Sequence, residues 1–190
     1  MNIIDRAKNI LLTPKTEWVT IANEPATLSS LLTSYVLVLA AIPAVASVVG
    51  ATVLGMGVGS RFVIVSALIA YIMAVASYVI TAYVADMLAS TFKSEKNLDK
   101  SAQLVAYSAT ASWVASVLSI IPFIGWIGSI AGGIYAIYLL YLGVGPVKKT
   151  PEDQRIIYVV VIIVVLVVAS LVLGSVLGML LLTGGALSAR

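Results

Sequence analysis

The chain has 190 residues, of which 61% are hydrophobic and only 10% are charged, and its formal net charge is +3. Its mean hydropathy is +1.11, so most of the chain requires the bilayer as its solvent, and no separate water-soluble domain is expected. The sequence contains no Cys and no His. Disulfides and the usual ligands of zinc, haem and iron–sulfur clusters are therefore absent, and we expect no cofactor and no metal.

Two classes of function are disfavoured by the same residues. The basic residues are scattered among several short segments and alternate with acidic ones, whereas a nucleic-acid surface needs a contiguous basic patch. An intramembrane protease needs either Ser with His or two facing Asp residues, and only Asp86 lies close to an apolar stretch. We therefore predict a protein that is not an enzyme and does not bind nucleic acid.

Residues 1–27 are predicted to form a cytoplasmic amphipathic segment. Its first part has apolar residues at helical spacing: Ile3, Ile4, Ala7, Ile10 and Leu11. Charged and polar residues lie between them, which is typical of a helix in the membrane interface. Pro14 suits the first turn of a second helix, and Trp18 on that helix is expected at headgroup depth.

Five apolar stretches follow, and each is predicted to be a transmembrane helix. They are Leu28–Met56, Phe62–Ala85, Ala102–Ile121, Ile124–Gly145 and Ile156–Leu182, with residues 183–190 as a short external tail. At about 1.5 Å per residue each can cross the ~30 Å hydrocarbon core, and none contains a charge. The predicted fold class is an all-α polytopic membrane helix bundle in which residues 28–182 form the five-span domain. Pro43 is expected to interrupt the first span.

The basic residues give the orientation. Nine of the eleven lie on one side of the predicted spans: Arg6, Lys8, Lys15, Lys93, Lys96, Lys100, Lys148, Lys149 and Arg155. Short loops rich in Lys and Arg stay in the cytoplasm, so the amino terminus is predicted inside and the carboxyl terminus outside, in a bacterial cytoplasmic (inner) membrane. One alternative remains, because both flanks of the hairpin formed by spans three and four are basic and a re-entrant hairpin fits the charges equally well. Arms of about 20 residues favour full crossing.

Several ordered motifs along the chain resemble one family. They are Pro14 with Trp18, Ile21 and Glu24; Leu39–Ala44; Asp86 with Leu88, Ala89 and Phe92; Leu104–Ser108; Ile121-Pro122; Tyr138–Gly143; and Thr150–Asp153. This pattern is similar to the Ypt-interacting protein (YIP) family in its compact bacterial form. The resemblance implies five spans with the amino terminus inside, and an acidic residue at position 86. The resemblance also implies that eukaryotic members are partners of small trafficking GTPases and that these members have a long cytoplasmic head. In this chain the corresponding head has only about 27 residues.

Asp86 is the centre of the candidate site. Tyr107 and Tyr138 come from two other spans at a similar predicted depth, so the three residues are a candidate polar pocket open to the cytoplasm. Two simpler interpretations stand beside it. Asp86 would be an interfacial carboxylate paired with Lys93, Lys96 or Lys100, and the tyrosines would belong to an aromatic belt.

Small residues at four-residue spacing indicate close helix packing. In spans three and four they are Ala111, Ala115, Ser119, Gly128 and Gly132, and we predict that they pack within the chain. In span five they are Ser170, Gly174 and Gly178, which are predicted either to pack within the chain or to pair with another copy in a homo-oligomer.

Two functions from different classes follow. The first is a membrane-organising or partner-recruiting protein that contacts the lipid bilayer and a cytoplasmic protein partner. The second is a small transporter or channel for a solute, ion or lipid that uses the Asp86 region. Transporters usually carry polar groups on broken helices near the midplane. Here only the Pro43 interruption fits that pattern, so the first function is favoured.

Overall fold

The computed structural model describes residues 2–53, 60–121 and 124–188, with the backbone alone at residues 60 and 176–188. This part of the chain folds into seven helices and no strand. The first two are α1 (Ile3–Leu12) and α2 (Pro14–Asn23). The side chain of Asn2 caps α1, and Pro14 starts α2 at the position where its missing N–H is not needed.

The other five helices are long and apolar enough to cross a membrane. We number them α3 (Leu28–Val53), α4 (Ser60–Ala89), α5 (Leu98–Ala115), α6 (Ile124–Lys148) and α7 (Glu152–Ser188). Short 3₁₀ turns extend α4 through Ser90–Phe92 and α5 through Ser116–Ile120. The predicted all-α, five-span fold is therefore confirmed.

The first span is the least regular one. It begins with a capping box between Thr27 and Ser30, contains a π-helical turn at Leu32–Val36, and is interrupted at Ala40. The interruption lies three residues before Pro43, which has no N–H to donate back along the helix, as the sequence predicted. The predicted end of this span at Met56 lies outside the described residues.

The helices extend beyond the predicted spans at the ends that carry polar residues. The second span was ended at Ala85, but α4 continues to Ala89, and the fourth was ended at Gly145, but α6 continues through Pro146 to Lys148. Helices α5 and α7 likewise start about four residues earlier than predicted. Some of these polar residues are held by partners within the protein, as Asp86 is by Lys148. Residues 183–190 were predicted as a short external tail, but helix α7 continues up to Ser188.

Helix α5 is the centre of the bundle, with eleven of its eighteen residues buried. It packs so closely on α6 that a Cβ atom at Gly132 would lie 2.5 Å from the Cβ atom of Ala115. The hydroxyl of Ser112 donates to the carbonyl of Gly132 at 3.3 Å. The small residues of spans three and four thus pack within the chain, as predicted.

Helix α7 is fixed to α4 near its beginning. Tyr158 is fully buried, its hydroxyl donates to the carbonyl of Ala85, and its ring stacks on Phe92 with centroids 4.9 Å apart. Further along α7, nothing lies within 4 Å of a Cβ atom built at Gly174. The surroundings of Gly178 lie outside the described residues, and pairing of this stripe with another copy stays a prediction.

Candidate functional site at the amino-terminal side

Asp86 forms an ion pair with Lys148, 62 positions further along the chain. The ammonium of Lys148 donates to Asp86 Oδ1 at 3.2 Å, to the Asn97 carbonyl at 3.1 Å and to Ser101 Oγ at 2.6 Å. Ser101 also donates to Asp86 Oδ1 at 3.3 Å. The pair therefore joins the ends of α4, α5 and α6. The pairing of Asp86 with Lys93, Lys96 or Lys100 that the sequence suggested was wrong.

The Lys148 side chain is fully buried, and that of Asp86 is 14% exposed. An ammonium group has three hydrogens to donate, and all three have acceptors here. A buried charge is tolerated only when it is paired and hydrogen-bonded, and these contacts meet both conditions. The carboxylate of Asp86 is thus compensated from within the protein.

The two loops beside this pair are held together. The backbone N–H of Glu95 donates to the Lys148 carbonyl at 2.7 Å, and the hydroxyls of Ser94 and Thr150 are 2.8 Å apart. Lys149 adopts a left-handed backbone conformation with φ 51° and forms an ion pair with Glu95 at 2.8 Å. Because this lysine donates a hydrogen bond to it, the carboxyl of Glu95 has a pKa below its ordinary value.

A second charged cluster joins α1 and α2 to the bundle. The guanidinium of the buried Arg6 is bound by the carboxylates of both Glu17 and Glu24. It also lies over the ring of Tyr107 on α5, 5.4 Å from the centroid. Cation–π contacts of this kind strengthen when they are shielded from water. Trp18 is fully buried and meets the same ring edge-on with centroids 6.4 Å apart.

Helices α5 and α6 hold the main chain of this segment as well. Lys100 Nζ donates to the Ala22 carbonyl at 2.7 Å, and Gln103 Nε2 donates to the Glu24 carbonyl at 3.1 Å. The Tyr135 hydroxyl of α6 donates to the Leu11 carbonyl at 2.7 Å. These bonds satisfy carbonyls that the ends of α1 and α2 leave free. The segment is therefore attached to the bundle at both of its helices.

In α1 both Ile10, which was predicted to lie on the membrane or the bundle, and Arg6 are buried. Ile10 is fully buried, but so is most of Arg6, which the sequence placed between the apolar positions, while Ile4 is 69% exposed. Residues four apart share one helix face, so Arg6 and Ile10 face the bundle together. Burial of Arg6 is compatible with that face because Glu17 and Glu24 neutralise it.

The three residues of the predicted pocket have separate partners. Asp86 contacts Lys148 and Ser101, Tyr107 belongs to the Arg6 cluster, and Tyr138 stacks on Tyr135 with centroids 5.7 Å apart. No hydrogen bond, ion pair or ring contact found for these described residues joins one of the three to another. Tyr138 is also 42% exposed, as expected for an aromatic belt.

Helix geometry explains this separation. Tyr107 lies six residues after Ser101, which is about 9 Å along α5 and a third of a turn away from the side that meets Asp86. Tyr138 lies ten residues before Lys148, about 15 Å along α6. The sequence placed all three at similar depth because all lie toward the cytoplasmic ends of their predicted spans, a criterion that does not distinguish positions about 9 to 15 Å apart along the helices.

Lys148 and Arg6 were missed as site residues. Both were counted among the basic residues that determine the orientation, and nothing in the local pattern distinguishes them from the exposed Lys8 or Lys15. One signal was available for Lys148, since Asp86 and Lys148 lie at the ends of spans two and four on the same side of the predicted bundle. Within residues 2–53, 60–121 and 124–188, no three acidic side chains lie close enough together to hold a metal ion.

The fold and the site define a polytopic helical membrane protein whose amino-terminal helices are docked against its spans by a cation–π contact, hydrogen bonds and the packing of a buried tryptophan. A family model described as the Yip1 domain matches residues 8–185, almost the whole chain. The chain belongs to the Yip1 family, which confirms the resemblance found in its motifs. A search of curated proteins and a search of solved structures gave no match.

Proposed function

We propose that the chain is a non-enzymatic protein that organises the membrane or recruits a partner to it, through a platform formed by α1 and α2. The observation that carries this proposal is the attachment of the platform to the spans. Arg6 contacts two glutamates of the same segment and Tyr107 of α5, and Trp18 is fully buried. A surface held in this way presents its outer residues in a fixed geometry, which lowers the entropy lost on binding.

The outer side of the platform combines apolar and basic residues. Ile4 and Leu12 are each 69% exposed and Val19 is 56% exposed, and Lys8 and Lys15 are exposed beside them. Such a surface suits the boundary between headgroups and acyl chains, where anionic lipids attract lysine. It equally suits a protein partner with an apolar, acidic face.

The membrane and orientation proposed are the bacterial cytoplasmic membrane with the amino terminus inside. The contacts of Glu95 with Lys148 and of Ser94 with Thr150 bring the loops that carry Lys93, Lys96 and Lys149 together. Arg6 and Lys100 tie α1 and α2 to the same side. Basic residues gathered on one side support a cytoplasmic location for that side.

Transport through the Asp86 region is the alternative. A cation pathway needs a carboxylate that is free to exchange its partner. Asp86 is instead bound to a fully buried lysine whose three hydrogens all have acceptors. This supports the platform function over the transport function.

The test places a photo-crosslinking amino acid at Leu12, with a matched probe at the buried Ile10 of the same helix. In native membranes we expect adducts at position 12 and none at position 10. A protein adduct supports partner recruitment, and a lipid adduct supports membrane organisation. Absence of any adduct at position 12, or an ion flux in vesicles that Asp86→Asn abolishes, would overturn the proposal.

A further inference from the structure

A cavity of about 680 Å³ lies among α4, α5, α6 and α7, apart from both charged clusters. Its walls are formed mainly by apolar and small residues, among them Ala70, Met73, Trp113, Ile137, Leu166 and Gly174. None of the described residues that line it is charged. Apolar walls favour a hydrocarbon occupant over an ion or a polar solute.

The shape of the cavity follows the helix axes. On α4 the lining residues run from Ala70 to Thr81, which is about 16 Å at the helical rise. On α7 they run from Ile162 to Gly174, about 18 Å. One leaflet of a bilayer contributes about 15 Å of hydrocarbon, half of the ~30 Å core. The cavity is therefore as deep as one leaflet.

Three hydroxyl groups lie at one end of this cavity without partners. The side chains of Tyr78, Thr81 and Ser108 line it, and they are 3%, 0% and 5% exposed. Their hydroxyl oxygens are buried and have no hydrogen-bond partner in the protein. A buried polar group left in this way is destabilising, so these hydroxyls need an acceptor that the protein does not supply.

The position of these hydroxyls indicates what that acceptor is. Thr81 precedes Asp86 by five residues, about 7 Å along α4, and Ser108 follows Ser101 by seven residues, about 10 Å along α5. The unpartnered hydroxyls thus lie at the end of the cavity nearest the charged side of the bundle. A glycerolipid has its ester groups between the headgroups and the acyl chains, on the charged side of the hydrocarbon core; their carbonyl oxygens accept hydrogen bonds, and the acyl chains extend from there toward the midplane.

We propose that this cavity binds one acyl chain of a membrane glycerophospholipid, and that the carbonyl oxygen of its ester accepts up to two hydrogen bonds from the hydroxyls of Tyr78, Thr81 and Ser108. The small residues that α7 presents to the cavity are consistent with a bound acyl chain. Ser170 and Gly174, which the sequence offered as a pairing stripe, both line the cavity, and nothing lies within 4 Å of a Cβ atom at Gly174. The small residues of α7 leave room for the chain of the lipid.

The test uses the full-length protein in vesicles of a single phospholipid with ester-linked chains. The protein is released into detergent, and the number of lipid molecules retained per protein molecule is measured by native mass spectrometry. We expect one lipid bound to the natural protein. In vesicles of the ether-linked analogue, which has the same chains without the ester carbonyls, retention should fall at least roughly fivefold, which is the effect of losing one net hydrogen bond.

Two kinds of variant distinguish the binding of the acyl chain in the cavity from the hydrogen bonds at its polar end. Gly174→Phe fills the cavity at a position where no protein atom is in the way, and it should abolish retention, whereas Val172→Phe on the exposed side of the same helix should not. Tyr78→Phe and Thr81→Val should each weaken retention of the ester lipid and reduce its difference from the ether lipid. Tyr83→Phe, whose tyrosine is 49% exposed, is the control.

The contradicting results are equally specific. Retention unchanged by Gly174→Phe would mean that the lipid binds elsewhere. Equal retention of ester and ether lipids by the natural protein would remove the role of the hydroxyls. A dimer that carries no lipid, and that Gly174→Phe dissociates, would make this face an interface between copies. An empty monomer would leave water as the occupant, and each of these outcomes overturns the proposal.

Discussion

Gly143 of α6 lies so close to Trp18 of α2 that a Cβ atom at position 143 would be 2.6 Å from Cε2 of the indole ring. Real Cβ atoms do not approach other heavy atoms to this distance, so the ring packs directly on the helix backbone. Trp18 is fully buried by this contact. The platform is therefore attached to the bundle by shape as well as by the contact of Arg6 with the Tyr107 ring.

Gly143→Ala should loosen the platform. The added methyl group cannot fit beside the indole, and overpacking of this kind typically costs about 1–3 kcal/mol. We expect faster amide hydrogen exchange in α2, with little change in α6. Gly133→Ala is the matched control, because nothing lies within 4 Å of a Cβ atom there. Equal exchange in both variants would show that α2 is not held by this contact.

Asp86→Asn should destabilise the bundle strongly. It leaves the fully buried ammonium of Lys148 without a counter-charge, and removal of one partner from a buried pair costs about 3–5 kcal/mol. Lys148→Met should cost less, since Asp86 is 14% exposed and keeps Ser101 as a donor. The measurement is a double-mutant cycle of unfolding in detergent.

The control for this cycle is the pair of Glu152 and Arg155, which is 3.6 Å apart and whose glutamate side chain is 88% exposed. Exposed pairs contribute little, so Glu152→Gln should leave the midpoint of unfolding almost unchanged. Similar effects of Glu152→Gln and Asp86→Asn would contradict the buried role of Asp86.

Acid should weaken the contact between the two loops. The pKa of Glu95 is lowered by its hydrogen bond from Lys149, so this stabilisation is fully present above the ordinary pKa of a glutamate and is lost as the pH falls through the lowered value. We expect Glu95→Gln to reduce the decrease in stability between about pH 5 and pH 3. An acid profile identical to that of the natural protein would contradict this role for Glu95.

The topology is testable with reporters. One fused after Arg190 should be external, and one inserted between Lys148 and Arg155 should be cytoplasmic, because basic loops stay inside. A cytoplasmic carboxyl terminus would contradict five crossings. If residue 125 is inaccessible from outside while loops 93–97 and 149–151 are both internal, the hairpin of α5 and α6 is re-entrant.

The spans could be predicted because hydropathy over about 20 residues is a local property of the sequence. The close packing of α5 on α6 was predictable for a similar reason, since small residues at a fixed spacing define one helix face. The partners of Asp86 and Arg6 could not be predicted in this way. The tertiary fold brings Lys148 to Asp86 and Glu24 to Arg6, and hydropathy does not record such contacts. A buried basic residue and an exposed basic residue also have the same local sequence pattern.

The contacts of the platform also constrain how the protein assembles. Leu11 is bound by Tyr135, 124 positions later in the chain, and Arg6 needs Tyr107. During synthesis the amino-terminal helices emerge first, but the surface that receives them is complete only after the fourth span has been made. Until then Arg6 and Trp18 are without their final partners in the bundle. Helices α1 and α2 are thus translated before the five spans but reach their native position only after α5 and α6 have formed their hairpin, so their docking depends on correct insertion of that hairpin.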